Sequence, residues 1–223
     1  MKLSIIIPTR NRPNELIYAV KSAIQVSNKT KAEVIVVSNG ESLKGDIGKL
    51  TSDLISKIKI IRADKRLPMN QNWRFGLENA SGEWITVLGD DDVIILNPKF
   101  NLDQLLSKTQ LNGIKFKTKN FDWLSTNLEF EKFVETDISF QTKEVTINAK
   151  SRNKWWSVPP QSFPTGGANS IVRRKWLYSF KTEPYSSCSP DWFVGSLYFL
   201  SESSYLDVNT YWSAIGNHPR NSI

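Results

Sequence analysis

The first hundred residues alternate between short unbroken apolar runs and longer segments whose apolar positions recur at helical spacing. Leu3 to Ile7 (LSIII), Glu33 to Val37 (EVIVV), Lys57 to Ile61 (KIKII) and Glu83 to Leu88 (EWITVL) are of the first kind. Short β-branched runs without polar alternation predict strands buried on both faces, as in a parallel sheet. Asn14 to Val26 places Leu16, Ile17, Val20, Ala23 and Ile24 on one helical face, with Pro13 at the first turn. Met69 to Ala80 predicts a second helix, closed by Ser81-Gly82. Strand, helix, strand, strand, helix, strand is the order of an open, Rossmann-like α/β sheet with helices on both faces.

The pattern changes after Pro98. Asn101 to Ser107 predicts a short helix, and Gly113 to Lys119 alternates like a strand in a half-exposed sheet. Lys150 to Asn169 holds two adjacent tryptophans, three prolines and a Gly-Gly pair, which predicts a long functional loop. Arg173 to Phe180 and Asp191 to Leu200 predict helices, and Tyr205 to Ser213 a last strand. This half is α+β in character.

In open α/β sheets ligands bind beyond the carboxyl ends of the strands. Three predicted strand ends carry polar clusters: Thr9-Arg10-Asn11-Arg12, Ser38-Asn39-Gly40 and Asp90-Asp91-Asp92. These should meet in one crevice. Three adjacent carboxylates repel one another, and a hard divalent cation with oxygen ligands relieves the repulsion. A solvated acidic turn or a helix cap before Val93 accounts for the triplet equally; its place at a buried strand's end favours the metal.

Composition narrows the partners. The 223 residues are 39% hydrophobic and carry a formal charge of +7, so the surface field favours anions such as nucleotides, sugar phosphates or acidic lipid. The lysines are scattered, which argues against nucleic acid. One cysteine, Cys188, excludes an intramolecular disulfide and a cysteine zinc cluster, and suits a reducing cytoplasm. No segment has the ~20 apolar residues of a membrane span, so membrane contact is expected to be peripheral.

SIIIPTRNRP, EVIVVSNGES and NWRFGLENASGEWITVLGDDD, in that order, resemble the family 2 glycosyltransferases with the GT-A fold. The likeness covers about the first hundred residues and continues weakly through TGGANSIVRRKWL and SPDWFVGSLYFL. It implies an inverting transfer of a sugar from a nucleoside diphosphate donor, assisted by Mn²⁺ or Mg²⁺. It further implies a single domain, with residues 1–97 binding the sugar nucleotide and 98–223 forming the acceptor side.

Carried onto this chain, the resemblance puts Pro8, Thr9, Arg10 and Arg12 against the nucleotide. Where the family commonly has an acidic pair reading the base, this chain has Ser38 and Asn39; the Asn39 amide can both donate and accept. Asp91 becomes the metal ligand, Asp90 a ribose or donor-sugar contact, and Asp92 a supporting or additional ligand. Gly89 stands where the family's signature usually begins with an aspartate. Asp191, in Ser-Pro-Asp-Trp, matches the late acidic motif that supplies the base; as a residue by itself it reads equally as a helix N-cap. Trp155, Trp156 and Trp192 are candidate acceptor contacts, and His218 is either an exposed tail residue or a further metal ligand.

The expected activity is glycosyl transfer to a saccharide or lipid-linked saccharide in cell-surface polysaccharide synthesis. The expected setting is the cytoplasm, with peripheral contact at the inner face of an anionic membrane. A non-catalytic nucleotide-sugar or glycan-binding module is the competing reading. A sugar-1-phosphate nucleotidyltransferase fits less well, because PTRNRPNEL lacks the glycines of a phosphate loop.

Overall fold

The structure, a computed structural model, describes residues 2–95, 97, 99–123, 140–147 and 163–217. Four parallel strands open it: β1 (Leu3–Thr9), β2 (Glu33–Ser38), β3 (Lys59–Arg62) and β4 (Trp84–Val87), lying in the order β3-β2-β1-β4. Between them run α1 (Pro13–Thr30), α2 (Leu43–Ile47), α3 (Ser52–Ile55) and α4 (Met69–Glu78). The sheet continues through β8 (Ser170–Arg173), β6 (Gly113–Asp122), β9 (Ser204–Asn217) and β5 (Val93–Ile94), with β7 (Thr142–Thr146) paired to β9. Among the described residues the remaining helices are α5 (Leu102–Lys108), α6 (Arg174–Leu177) and α7 (Pro190–Leu200). β8 runs antiparallel to both β4 and β6, which turns the parallel nucleotide-type sheet into a mixed one.

The predicted strand runs are doubly buried because helices cover both faces. Leu3, Ile5 and Ile7 join Leu16, Val20 and Ala23 of α1 in one cluster, while Ile6 joins Leu77 of α4 in the other. A Cβ at Gly76 would stand 2.5 Å from Ile6 Cγ2. Glycine there lets α4 press onto β1 and β2 and brings its first turn to the strand ends.

Several predicted bounds move. α1 runs to Thr30, four residues past the predicted end, because Thr30 Oγ1 returns to the Val26 carbonyl at 2.9 Å and Lys31 closes the helix in the left-handed region at φ 54°. α4 ends at Glu78 with Asn79 as C-cap, not at Ser81-Gly82. Gly82 instead donates its N–H to Ser4 Oγ at 2.8 Å, tying the loop to β1. Arg173, predicted to open a helix, is the last residue of β8: its strand is held between β4 and β6, leaving only Arg174–Leu177 for α6.

Candidate active site

The strand order reverses between β1 and β4, whose chain neighbours leave in opposite directions, and this is where α/β sheets open a crevice. A cavity of about 790 Å³ lies there, within the range that takes a nucleotide-sized ligand. Pro8, Thr9, Arg10, Arg12, Asn39, Asp90, Asp91, Asp92 and Asp191 all line it. The three predicted strand-end clusters therefore do meet, and a residue a hundred positions further along the chain meets them.

Each aspartate of the triplet has a different environment. Asp90 is held by the end of β1: Thr9 Oγ1 donates to Oδ2 at 2.8 Å, the Arg10 N–H at 3.3 Å, and Arg12 Nη1 reaches Oδ1 at 3.2 Å. The same guanidinium nitrogen lies 2.6 Å from Asp91 Oδ2, so Arg12 bridges the two carboxylates. Asp92 is anchored from β9, its Oδ1 accepting the Gly216 N–H at 3.0 Å. Burial, then the charge of Asp91, pushes Asp90 up to about 6 and Asp92 up to about 7.

Raised carboxyls give stability a definite pH slope. An unfolded aspartate releases its proton near 3.8, but Asp92 in the fold releases it near 7. The stabilising contribution is complete below the unfolded value and is lost as pH rises through the folded one. In metal-free buffer this contribution should lower the Tm between about pH 4 and about pH 7, and Asp92→Asn should flatten that slope. Thermal melts across the window check this; a Tm that climbs with pH would contradict it.

The donor set fits a hard cation that shares its shell with a ligand. Among the described residues no three His, Cys, Asp or Glu side chains converge on one metal position. Asp92 Oδ2 and Asp91 Oδ1 nevertheless lie 2.7 and 2.9 Å from one point, the place a Cβ on Gly89 would occupy. One or two carboxylates completed by phosphate oxygens and water is the usual protein share of a Mg²⁺ site. The departure at Gly89 thus has a physical reason. Gly89→Asp, which restores the residue type expected from the resemblance, should weaken metal-dependent nucleotide binding about 10- to 100-fold by pushing both carboxylates aside. Calorimetry with Mn²⁺ and a nucleoside diphosphate measures it.

At the β2 end, Asn39 spends both ends of its amide on one partner: Nδ2 donates to the Leu67 carbonyl and Oδ1 accepts the Leu67 N–H, each at 2.8 Å. It shapes the loop before α4, so the amide expected to face a base is already engaged. The neighbouring loop is organised by Asp46, which sequence reasoning missed. Fully buried, it accepts from the Asn11 N–H at 2.7 Å, Ser38 Oγ at 2.7 Å and the Gly40 N–H at 2.8 Å. Arg62 closes the same loop through the Gly40 carbonyl at 2.8 Å. The cue available was an acidic residue in the first turn of a helix, N-capped by Ser42, just past a Gly-containing turn.

The far wall comes from the second half of the chain. Thr165 to Asn169 crosses the end of β4, where the Gly166 carbonyl accepts the Val87 N–H at 3.0 Å and the Ala168 carbonyl accepts from Ser213 Oγ at 2.5 Å. Thr165, Gly167, Ala168 and Asn169 line the cavity, as do Asn72 and Trp73 of α4. The signal for residues 165–169 was the Gly-Gly pair, which lets backbone lie against a ligand. Asp191 sits in the first turn of α7 and makes no capping hydrogen bond. Its carboxylate has no hydrogen bond or ion pair to any described residue. Trp192 is 44% exposed and does not line the cavity. Trp155, Trp156 and His218 lie outside the described residues, and among those described no helix is long and apolar enough to cross a membrane.

Residues 4–101 match the family model Glycosyl transferase family 2. An uncharacterized glycosyltransferase of Mycoplasma genitalium is 27% identical over 154 residues, 64% of this chain and 51% of its own length. The GalNAc(5)-diNAcBac-PP-undecaprenol beta-1,3-glucosyltransferase of Campylobacter jejuni is 37% identical over 97 residues, 42% of this chain and 31% of its own. The chain spans about half and about a third of these curated relatives. The crystal structure of S. aureus TarS aligns with a TM-score of 0.66 at 17% identity, covering 100% of this chain and 38% of that one. Its 1–349 segment in complex with UDP-GlcNAc gives 0.64 at 18%, covering 98% and 59%. At these identities the structural likeness is one of fold: a mixed α/β sheet of the GT-A type. The likeness to Glycosyl transferase family 2 is carried by residues 4–101, the part of the chain that holds the nucleotide-type sheet.

Proposed function

We propose that this chain transfers a sugar, with inversion, from a nucleoside diphosphate donor to a hydroxyl of a saccharide or lipid-linked saccharide in bacterial glycan synthesis. The observation that carries the proposal is the pairing, in one cavity, of a carboxylate cluster at a strand end with the Asp191 carboxylate from the second half of the chain, which bonds to no described residue. A glycosyl transfer needs both. The acceptor oxygen attacks the anomeric carbon as the bond to the diphosphate oxygen breaks, and the proton of the acceptor goes to a base on the attacking side. Asp191 is that base. Negative charge collects on the departing diphosphate, which Arg10 and Arg12 attract from the β1 end.

Asp91, with Asp92 behind it, would hold Mn²⁺ or Mg²⁺, whose charge stabilises the leaving diphosphate when bound. Asp90 is fixed by Thr9 and Arg12 for contact with the donor. The proposal draws support from the named activity of the Campylobacter relative, a glucosyltransferase on an undecaprenol-diphosphate saccharide, and from the UDP-GlcNAc complex of TarS. A panel of nucleoside diphosphate sugars, with and without Mn²⁺ or Mg²⁺, tests it by donor hydrolysis and by shift of Tm. At least one donor should raise the Tm in the presence of metal and be slowly hydrolysed. If no donor is bound or turned over, the proposal fails.

A further inference from the structure

Asn72 stands apart from the other polar residues of the cavity. It is 4% exposed and lines the cavity wall, yet its side chain makes no hydrogen bond to any described residue. A carboxamide on a cavity wall that bonds to no described residue has both its donor and its acceptor available to a ligand. The contrast with Asn39 is direct: that amide is consumed at both ends by Leu67, while the Asn72 amide is held in reserve.

Its surroundings indicate what it would meet. Asn72 lies in the first turn of α4, its backbone N–H bonded to the Pro68 carbonyl at 2.9 Å, next to the Leu67 that Asn39 engages. Met69, three residues earlier on the same helix face, is 54% exposed and lines the same cavity as Pro8. Apolar side chains beside an amide that offers both donor and acceptor suit a flat heteroaromatic ring, with apolar faces and a polar edge.

We propose that Asn72, and not Asn39, reads the edge of the donor's nucleobase, with Met69 and Pro8 against the ring. The inference rests on the nucleoside diphosphate donor proposed above and adds the residue that chooses the base. A ribose contact is the competing use of the same amide.

The test compares the parent protein with Asn72→Leu, a substitution of similar shape, by calorimetry with Mn²⁺ and UDP, CDP, ADP, GDP and base-free ribose 5-diphosphate. The parent should prefer one base. Asn72→Leu should lose about tenfold in affinity for that nucleotide, approaching the base-free compound, whose own affinity stays unchanged. Because the amide bonds to no described residue, the Tm of the ligand-free variant should be unchanged or higher. An unaltered base preference in Asn72→Leu overturns the inference, as does an equal loss for the base-free compound or a Tm lowered by more than about 5 °C, the mark of a structural residue. If the parent binds none of the five compounds, the donor reading itself falls, a result distinct from all of these.

Discussion

Asp191→Asn should lower kcat by about 10²- to 10⁴-fold, the usual share of a general base, and leave the Tm and the affinity for donor nearly unchanged. The reason lies at the start of α7. Pro190 occupies the first helical turn, where its missing N–H costs nothing, and Ser189 at the N-cap makes no side-chain cap. Asp191 follows without capping the helix and without any hydrogen bond or ion pair to the described residues. Its structural worth is then limited to the interaction of its charge with the helix dipole, about 0.3–1 kcal/mol, or a few degrees at most for a chain of this size. The catalytic worth of a base is several times larger. The asparagine keeps the shape and removes the proposed proton acceptor, while the strand-end carboxylates proposed to hold the diphosphate and its metal are untouched. Steady-state transfer assays beside thermal melts and donor titration separate the two roles. Activity within tenfold of the parent would sink the base assignment, and a large drop in Tm would restore the helix-cap reading.

How much of this site was legible in the sequence depended on how local its causes are. The apolar runs of β1, β2 and β4 are buried on both faces, so they show as unbroken hydrophobic stretches, and the polar residues that follow them fall where a parallel sheet opens. Thr9, Arg12 and the three aspartates could be placed on that ground alone. The short helices α2 and α3 were missed: they have five and four residues, too few for a period, and begin from single caps at Ser42 and Thr51. The engagement of Asn39 depends on Leu67, 28 residues away, and the burial of Asp46 depends on Asn11, 35 away. No pattern within a window carries such pairings. The same holds for Asp92, whose orientation is set by Gly216, brought beside the triplet because β9 pairs with β5 just after it. Asn72 sits at a helix position that reads as polar and exposed; only the packing of Gly76 onto Ile6 turns that face to the cavity.

Asp91→Asn should abolish the stabilisation by metal and nucleotide together, and lower transfer by at least about 10²-fold, without lowering the Tm of the free protein. Two opposed effects decide the second half of that statement. The substitution removes the Asp91 side of the bridge to Arg12, an ion pair whose side chains are 13% and 23% exposed. In a pair this far buried desolvation offsets much of the attraction, and Arg12 keeps Asp90 at 3.2 Å. On the other side, the charge of Asp91 is, after burial, the leading cause that raises both Asp90 and Asp92. Deleting it relieves two buried carboxylates at once, so near pH 7 the relief should equal or exceed the lost pair. Function requires the reverse: the repulsion stored among the three side chains is what a cation and a diphosphate would discharge on binding, and Asp91 is the member whose carboxylate reaches both the Gly89 gap and Arg12. Thermal melts of Asp91→Asn with and without Mn²⁺ and a nucleoside diphosphate read both effects. A variant less stable than its parent in metal-free buffer would show the ion pair to dominate, and one that still responds to metal and nucleotide would move the ligand role from Asp91 to its neighbours.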